Sequence, residues 1–242
     1  MDLVIDIGNT KAKIALYDKD SVVERFSYNT LAVNDLREVL SAHNSLQRAI
    51  LATTRAHDQS LEQFLASEFD HFVVFDPAHT PTPLVNTYLS PSTLGADRLA
   101  AAVAANGHFP ESEILLFDLG TALTIDRVSA CGRYLGGNIS PGMAMRFEIL
   151  NRSTACLPLC RAKKMEWEVE FARDTQNAII QGVTCGIVLE IEGYIARFLD
   201  EKPDGKIFFT GGDALYFEKR IKNTIFVDND AVLNGLHMIL DY

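Results

Sequence analysis

The sequence predicts a mixed α/β fold built from two similar halves, and three observations predict it. Short apolar runs rich in Val, Ile and Leu alternate with stretches of helical period, the pattern of layered strands and helices. Asp-x-Gly closes a buried-strand pattern twice, at Asp6-Ile7-Gly8 and at Asp118-Leu119-Gly120, 112 positions apart in a chain of 242 residues. Each of these turns leads into two further strand patterns and then into alternating helices and strands. One Asp-x-Gly is an ordinary turn; two at matching places argue for duplication. The expected division is 1–109 and 110–242 with a central cleft, since ligands favour clefts between domains.

Taken in order, Asp2 to Ile7 reads as a buried strand, Gly8-Asn9 as a turn, Lys13 to Tyr17 as the returning strand and Val22 to Tyr28 as a third. A helix is predicted over 34–43 with Asn34 as N-cap, then strand 49–53, helix 58–67 and strand 72–75. Residues 77–91 hold four of the eight prolines, which marks a long irregular loop of the kind that carries function. Gly95-Ala96-Asp97-Arg98 opens an alanine-rich helix that Asn106-Gly107 should close. Strands follow at 113–119, 121–128 and 133–139, then a helix at 143–150; residues 151–173 show no readable period. A long helix spans 175–199, with apolar residues on more than one face, which implies burial on two sides by a dimer contact or by a core. The chain closes with strand 206–210, the Gly211-Gly212 turn, helix 213–220, strand 224–227 and helix 231–240.

Composition narrows the function. A net charge of −10 speaks against a nucleic-acid backbone or an anionic membrane as partner. It leaves small phosphates open, because backbone amides and a metal ion hold them without a basic surface. Met1-Asp2 runs straight into Leu3-Val4-Ile5 with no basic region ahead, and no run reaches the ~18 apolar residues of a membrane span. The four cysteines form no CxxC pair, as expected of thiols in a reducing cytoplasm.

The first turn can hold an anion. Gly8 lets the backbone approach a ligand closely, and successive amides in such a turn point into one concavity. Asp6 would face the same anion, which requires a divalent cation between them, Mg²⁺ held through water; Asn9, Thr10 and Lys13 add donors. The second turn repeats this logic with Asp118, Gly120 and Thr121. Gly211-Gly212, after a strand and before a helix, could lie flat against an adenine or ribose. Asp97 and Arg98 fall in the first turn of a helix, where an Asp also simply favours the dipole. Their functional reading is a carboxylate that takes the proton of a substrate hydroxyl and a guanidinium that clamps a carboxylate. Neither a Walker A motif nor GxGxxG is present.

This three-part pattern resembles the superfamily of sugar kinases, actin and heat-shock chaperone ATPases, which implies duplicated actin-like ATPase (ribonuclease H-like) domains with a central nucleotide cleft. The series D-x-G-N-T at 6–10, G-A-D-R at 95–98, D-L-G-T-A-x-T-x-D at 118–126, G-G-x-I-x-P-G at 136–142 and T-G-G at 210–212 narrows the resemblance to the type III pantothenate kinases. It covers nearly the whole chain. The resemblance implies ATP-dependent phosphorylation of pantothenate. It makes Asp6, Ile7, Gly8, Asn9, Thr10, Lys11, Ala12 and Lys13 the ATP-binding turn, with Thr121 a further ATP contact. It makes Tyr88, Gly95, Ala96, Asp97 and Arg98 the pantothenate site, with Asp97 as proton acceptor. Asp118 becomes the ligand of K⁺ or NH₄⁺, and Thr175 a pantothenate contact reaching the site from the partner subunit of a cytoplasmic homodimer. Two other readings stay beside this one. A sugar kinase of the same superfamily is disfavoured by Tyr88 with Gly95, Asp97 and Arg98. A non-catalytic transcriptional accessory protein would be favoured by loss of Asp6, Asp97 or Asp118, and all three are present.

Overall fold

A computed structural model of the chain describes residues 1–162 and 171–242. Of the unread stretch 151–173, residues 163–170 lie outside the described residues. The first half runs β1 (Asp2–Ile7), β2 (Ala12–Asp18), β3 (Ser21–Tyr28), α1 (Val33–Ala42), β4 (Arg48–Thr53), α2 (Gln59–Glu68), β5 (His71–Val74), β6 (Val85–Asn86) and α3 (Ala96–His108). The second runs β7 (Ile114–Leu119), β8 (Ala122–Ser129), β9 (Arg133–Pro141), α4 (Met143–Arg152), α5 (Thr175–Glu201), β10 (Lys206–Thr210), α6 (Ala214–Glu218), β11 (Phe226–Val227) and α7 (Ala231–Leu240). These form two compact units: Met1–Glu111 with Ser129–Gly136 and Asp230–Tyr242, and Ser112–Val128 with Gly137–Asn229.

In the first unit the strands follow the order β3-β2-β1-β4-β5, with β1 antiparallel to β2 and parallel to β4. Leu3, Val4 and Ile5 are fully buried, which is why β1 reads as an unbroken apolar run rather than an alternating one. Helix α7 lies against α3, and a side chain at Gly235 would overlap the Ala100 carbonyl. At the start of β1, Arg48 holds both oxygens of Asp2, at 2.9 and 2.5 Å, and reaches Asp241 at 2.6 Å. His237 stacks on Tyr17 at 4.1 Å and bonds Asp2 at 3.1 Å. Burial pushes the Asp2 carboxyl up, but its bonds to Arg48 and His237 outweigh this and hold it below the ordinary range. Asp2, His237 and Asp241 converge closely enough for a metal, yet the guanidinium already fills their midst, so the cluster is an ion network that ties α7 to β1.

In the second unit the order is β11-β10-β7-β8-β9. Its core joins Phe117, Leu123 and Phe209 to Ile180, Ile187 and Ile191 of α5. Helix α5 is long and apolar enough by composition to cross a membrane, which differs from the expectation that no segment is. The apolar residues that gave it more than one face, among them Ile179, Val183, Val188, Ile195 and Phe198, are buried inside its own unit. The core therefore accounts for the wide stripe, which by itself calls for no partner.

Two local expectations are corrected. Helix α1 is capped at Ala32, not Asn34, because the Asp35 carboxylate accepts the Ala32 amide at 2.8 Å from within the first turn. Helix α3 continues through Asn106-Gly107 to His108. Gly107 serves close packing there, since a side chain would strike Met238 of α7.

Candidate active site

In the first unit the turn at the end of β1 is closed by the Gly8 amide, which donates to the Lys11 carbonyl at 3.0 Å. Asp6 pairs across the hairpin with Lys13, and Ile7 with Ala12. Asn9, Thr10 and Lys11 stand exposed at the tip while Asp6 is buried. The Asp6 Oδ1 has no hydrogen-bond partner among the described residues. Burial first, then the charge of Asp97, push its carboxyl up to about 7, with Lys13 pulling the other way. That coupling brings Asp97 into the neighbourhood of the turn.

Asp97 sits in the first turn of α3, half-buried, with Oδ1 accepting the Arg98 amide at 2.8 Å. Gly95, the N-cap, gives the carboxylate this room: a side chain there would come within 2.5 Å of Asp97 Oδ1. The Arg98 guanidinium is buried and lies over the Tyr88 ring, 5.7 Å from its centroid. Tyr88 is fixed from three sides. Its amide bonds Asn86 Oδ1 at 3.0 Å, its ring meets Tyr134 at 6.2 Å, and it rests on Gly136. Gly136 has φ +93, a conformation that favours glycine, and a side chain there would press on the Tyr88 ring. Asp6, Tyr88, Asp97 and Arg98 thus belong to one neighbourhood of the first unit.

In the second unit Asp118, the residue before the end of β7, lies opposite Thr124, and the turn is one residue tighter, with the Gly120 amide donating to the Ala122 carbonyl at 3.1 Å. Two glycine segments crowd this turn. The Gly142 amide donates to the Thr121 carbonyl at 3.2 Å, and side chains at Gly142 or Gly211 would overlap Thr121 and Asp118 respectively. Thr121 is exposed. Beyond Gly211-Gly212, Asp213 lines a cavity of about 440 Å³ with Met143, Phe147, Leu159 and Arg161, and burial raises its carboxyl pKa. Thr175 is the exposed first residue of α5, capped by Asp174, which accepts the Asn177 amide at 2.9 Å.

The motifs did not point to Arg55, Asn86, Tyr134 or the role of Gly136. Arg55 follows β4 and reaches back 46 residues to the first turn, a contact no sequence spacing encodes. Gly136 opens the G-G-x-I-x-P-G motif, but nothing in that motif ties it to Tyr88.

The sequence profile of the type III pantothenate kinase family matches residues 2–197. A type III pantothenate kinase of Bacteroides fragilis is 41% identical over all of this chain and 98% of its own length. One from Phocaeicola vulgatus is also 41% identical, and one from Porphyromonas gingivalis 36%, each over all of this chain and 98% of its own length. Among solved structures, a protein of Campylobacter jejuni described as a Baf family transcriptional activator aligns over 99% of this chain and 97% of its own, with TM-score 0.65 and 24% identity. A protein of Sinorhizobium meliloti described as a 2-dehydro-3-deoxygalactonokinase aligns over 99% of this chain and 98% of its own, with TM-score 0.60 and 13% identity. At such identities these two show the fold alone, that of the actin-like ATPases and sugar kinases. With the profile spanning most of its length and full-length relatives above the level at which families separate, the chain belongs to the type III pantothenate kinase family.

Proposed function

We propose that this protein transfers the γ-phosphoryl group of ATP to the primary hydroxyl of pantothenate, giving 4'-phosphopantothenate in the first step of coenzyme A synthesis. The observation that carries the reading is the Asp97 carboxylate, half-buried at the opening of α3, in the electrostatic range of the buried Asp6 and next to Arg98. Phosphoryl transfer asks little covalent chemistry of a protein; it needs alignment, charge neutralisation and one carboxylate on the nucleophile. Asp97 takes the hydroxyl proton as the oxygen attacks the γ-phosphorus in line. Arg98, with Tyr88 against it, faces the pantothenate carboxylate.

The amides of Asn9 and Thr10 hold phosphate oxygens, with Ile7, Gly8, Lys11 and Ala12 shaping the turn and Lys13 offsetting charge. Thr121 donates a further hydroxyl to ATP. The buried, unpaired Asp6 Oδ1 fits a Mg²⁺ ion held through water, which when bound neutralises the polyphosphate. Asp118, beside the carbonyl of Leu119, offers the hard oxygens that suit K⁺ or NH₄⁺. The cavity lined by Asp213 and Phe147 suits the nucleoside, with the carboxylate accepting from its amino or hydroxyl groups.

In this reading the protein is a cytoplasmic homodimer, with no nucleic-acid or membrane role, in which the partner's Thr175 completes the pantothenate site. Support for the dimer is the face of α5 that its own core leaves open: Leu189 is 57% exposed, and a methyl group at Gly182 or Gly193 would meet nothing among the described residues.

The test is ATP-dependent phosphorylation of pantothenate, first in Na⁺ and then in K⁺ or NH₄⁺, with hexoses as control acceptors. Turnover of pantothenate alone, raised by K⁺ or NH₄⁺, is expected. Asp97→Asn should lose about 10²- to 10⁴-fold in kcat while still binding ATP. Full turnover by that variant would remove Asp97 from the role of base.

A further inference from the structure

Resting on the reading of residues 6–13 as the polyphosphate turn, we infer that Arg55, which belongs to none of the motifs, is a positioning residue that sets nucleotide affinity. A turn that binds an anion through its amides must keep its carbonyl oxygens away from that anion. Three sets of donors do this. The Ile7 carbonyl accepts the Thr54 amide at 3.0 Å and the Thr54 hydroxyl at 3.4 Å. The Lys11 carbonyl accepts the Gly8 amide at 3.0 Å. The Asn9 carbonyl, at the exposed tip, accepts Arg55 Nη2 at 2.6 Å.

Arg55 is itself held in place. Its amide donates to Thr53 Oγ1 at 3.0 Å, and that hydroxyl donates to the Arg55 carbonyl at 3.4 Å. Packing does not supply the same restraint, because a cavity of about 130 Å³ lies beside the strand ends, lined by Ile7, Ala12, Leu51, Thr53 and Arg55. The tip of the turn is therefore oriented by a charge-assisted hydrogen bond from a different segment. Without it the Asn9 peptide is free to rotate its oxygen toward the phosphates, where it would repel them. The guanidinium also leaves a fixed positive charge at the turn, opposing that of Asp6.

The experiment compares Arg55→Ala and Arg55→Lys with the wild type, and Arg37→Ala serves as a control for loss of an exposed arginine elsewhere in the same unit. Binding of a non-hydrolysable ATP analogue with Mg²⁺ is measured by calorimetry, and KM is measured for each substrate. Arg55→Ala should weaken the analogue and raise KM for ATP by about tenfold, the size of one hydrogen bond to a charged group. Its kcat, its KM for pantothenate and its melting temperature should stay at the wild-type values, the mark of lost uniform binding rather than lost chemistry or fold. Arg55→Lys, which keeps one donor and the charge, should recover most of the loss, and Arg37→Ala should match wild type. Arg55→Ala that binds the analogue as tightly as wild type sinks the inference while the polyphosphate turn stands. Equal losses for both substrates, or no recovery with lysine, sink it as well. A wild-type protein that binds no nucleotide removes the turn reading and this inference with it.

Discussion

Asp6 is poorly solvated at the end of β1, and its neighbour Asp97 opposes its ionisation, so its carboxyl is pushed up to about 7 from an ordinary 3.8. Between about pH 4 and pH 7 the folded chain holds a proton that the unfolded chain has released. Stability therefore falls as pH rises through that window and reaches its full penalty above it. At 1.36 kcal/mol per unit the penalty is at most about 4 kcal/mol. Asp2 works in the opposite sense: its lowered pKa stabilises the fold above the unfolded value and is lost only in stronger acid. Melting curves of the metal-free protein should thus show a higher midpoint at pH 5 than at pH 8. Asp6→Asn should abolish this difference by raising the midpoint at pH 8, while the variant loses kinase activity. Mg²⁺ with ATP should stabilise wild type more at pH 8 than at pH 5. A midpoint that rises steadily from pH 5 to pH 8 in wild type would contradict the buried-charge account. Asp97→Asn removes one of the two causes, so its fall in stability should level off at lower pH, with a smaller total penalty, than in wild type.

At the scale of elements, glycines mark where backbones meet. Gly235 lets α7 come against α3 so closely that a methyl group would overlap the Ala100 carbonyl. Gly235→Ala should cost about 3 kcal/mol through overpacking. In denaturant titrations that loss should appear with an unchanged slope; a loss within about 0.5 kcal/mol would show that the helices can separate without penalty. The sequence made the hairpins legible for a physical reason: β1 with β2, and β7 with β8, are local, and each is punctuated by Asp-x-Gly, so strand, turn and acidic residue are specified within a dozen positions. The opening of α3 was equally local, with Gly95 and Asp97 two residues apart. What escaped was non-local. Arg55 meets Asn9 and Gly136 supports Tyr88 only because the fold brings distant segments together. Gly107 has the look of a helix terminator, yet Met238, far along the chain, explains it. The cap of α1 failed differently: Asn34 is the better N-cap by type, but Asp35 reaches back to the Ala32 amide and starts the helix earlier.

At the scale of the whole molecule, the proposed halves 1–109 and 110–242 each open with the same strand–turn–strand unit, and the closing helix α7 returns to the first compact unit. The molecule's assembly turns on α5. Its broad apolar surface is consumed by its own core, which leaves Thr175 and the open face around Leu189 for a partner. Thr175 stands exposed beside its cap. If the pantothenate site of one protomer uses the partner's Thr175, then Asp97→Asn and Thr175→Val should complement each other. Each variant alone has no complete site. After mixing, unfolding and refolding together, about half of the dimers are mixed, and each mixed dimer rebuilds one intact site from Asp97 of one chain and the threonine of the other. Activity should then recover to about a quarter of the wild-type level. A Thr175 that serves its own chain gives a different result, because every site in the mixed dimer then carries one of the two substitutions. No recovery in a preparation shown by mass to contain mixed dimers would assign Thr175 to its own subunit, and a sedimenting monomer with full activity would remove the partner altogether.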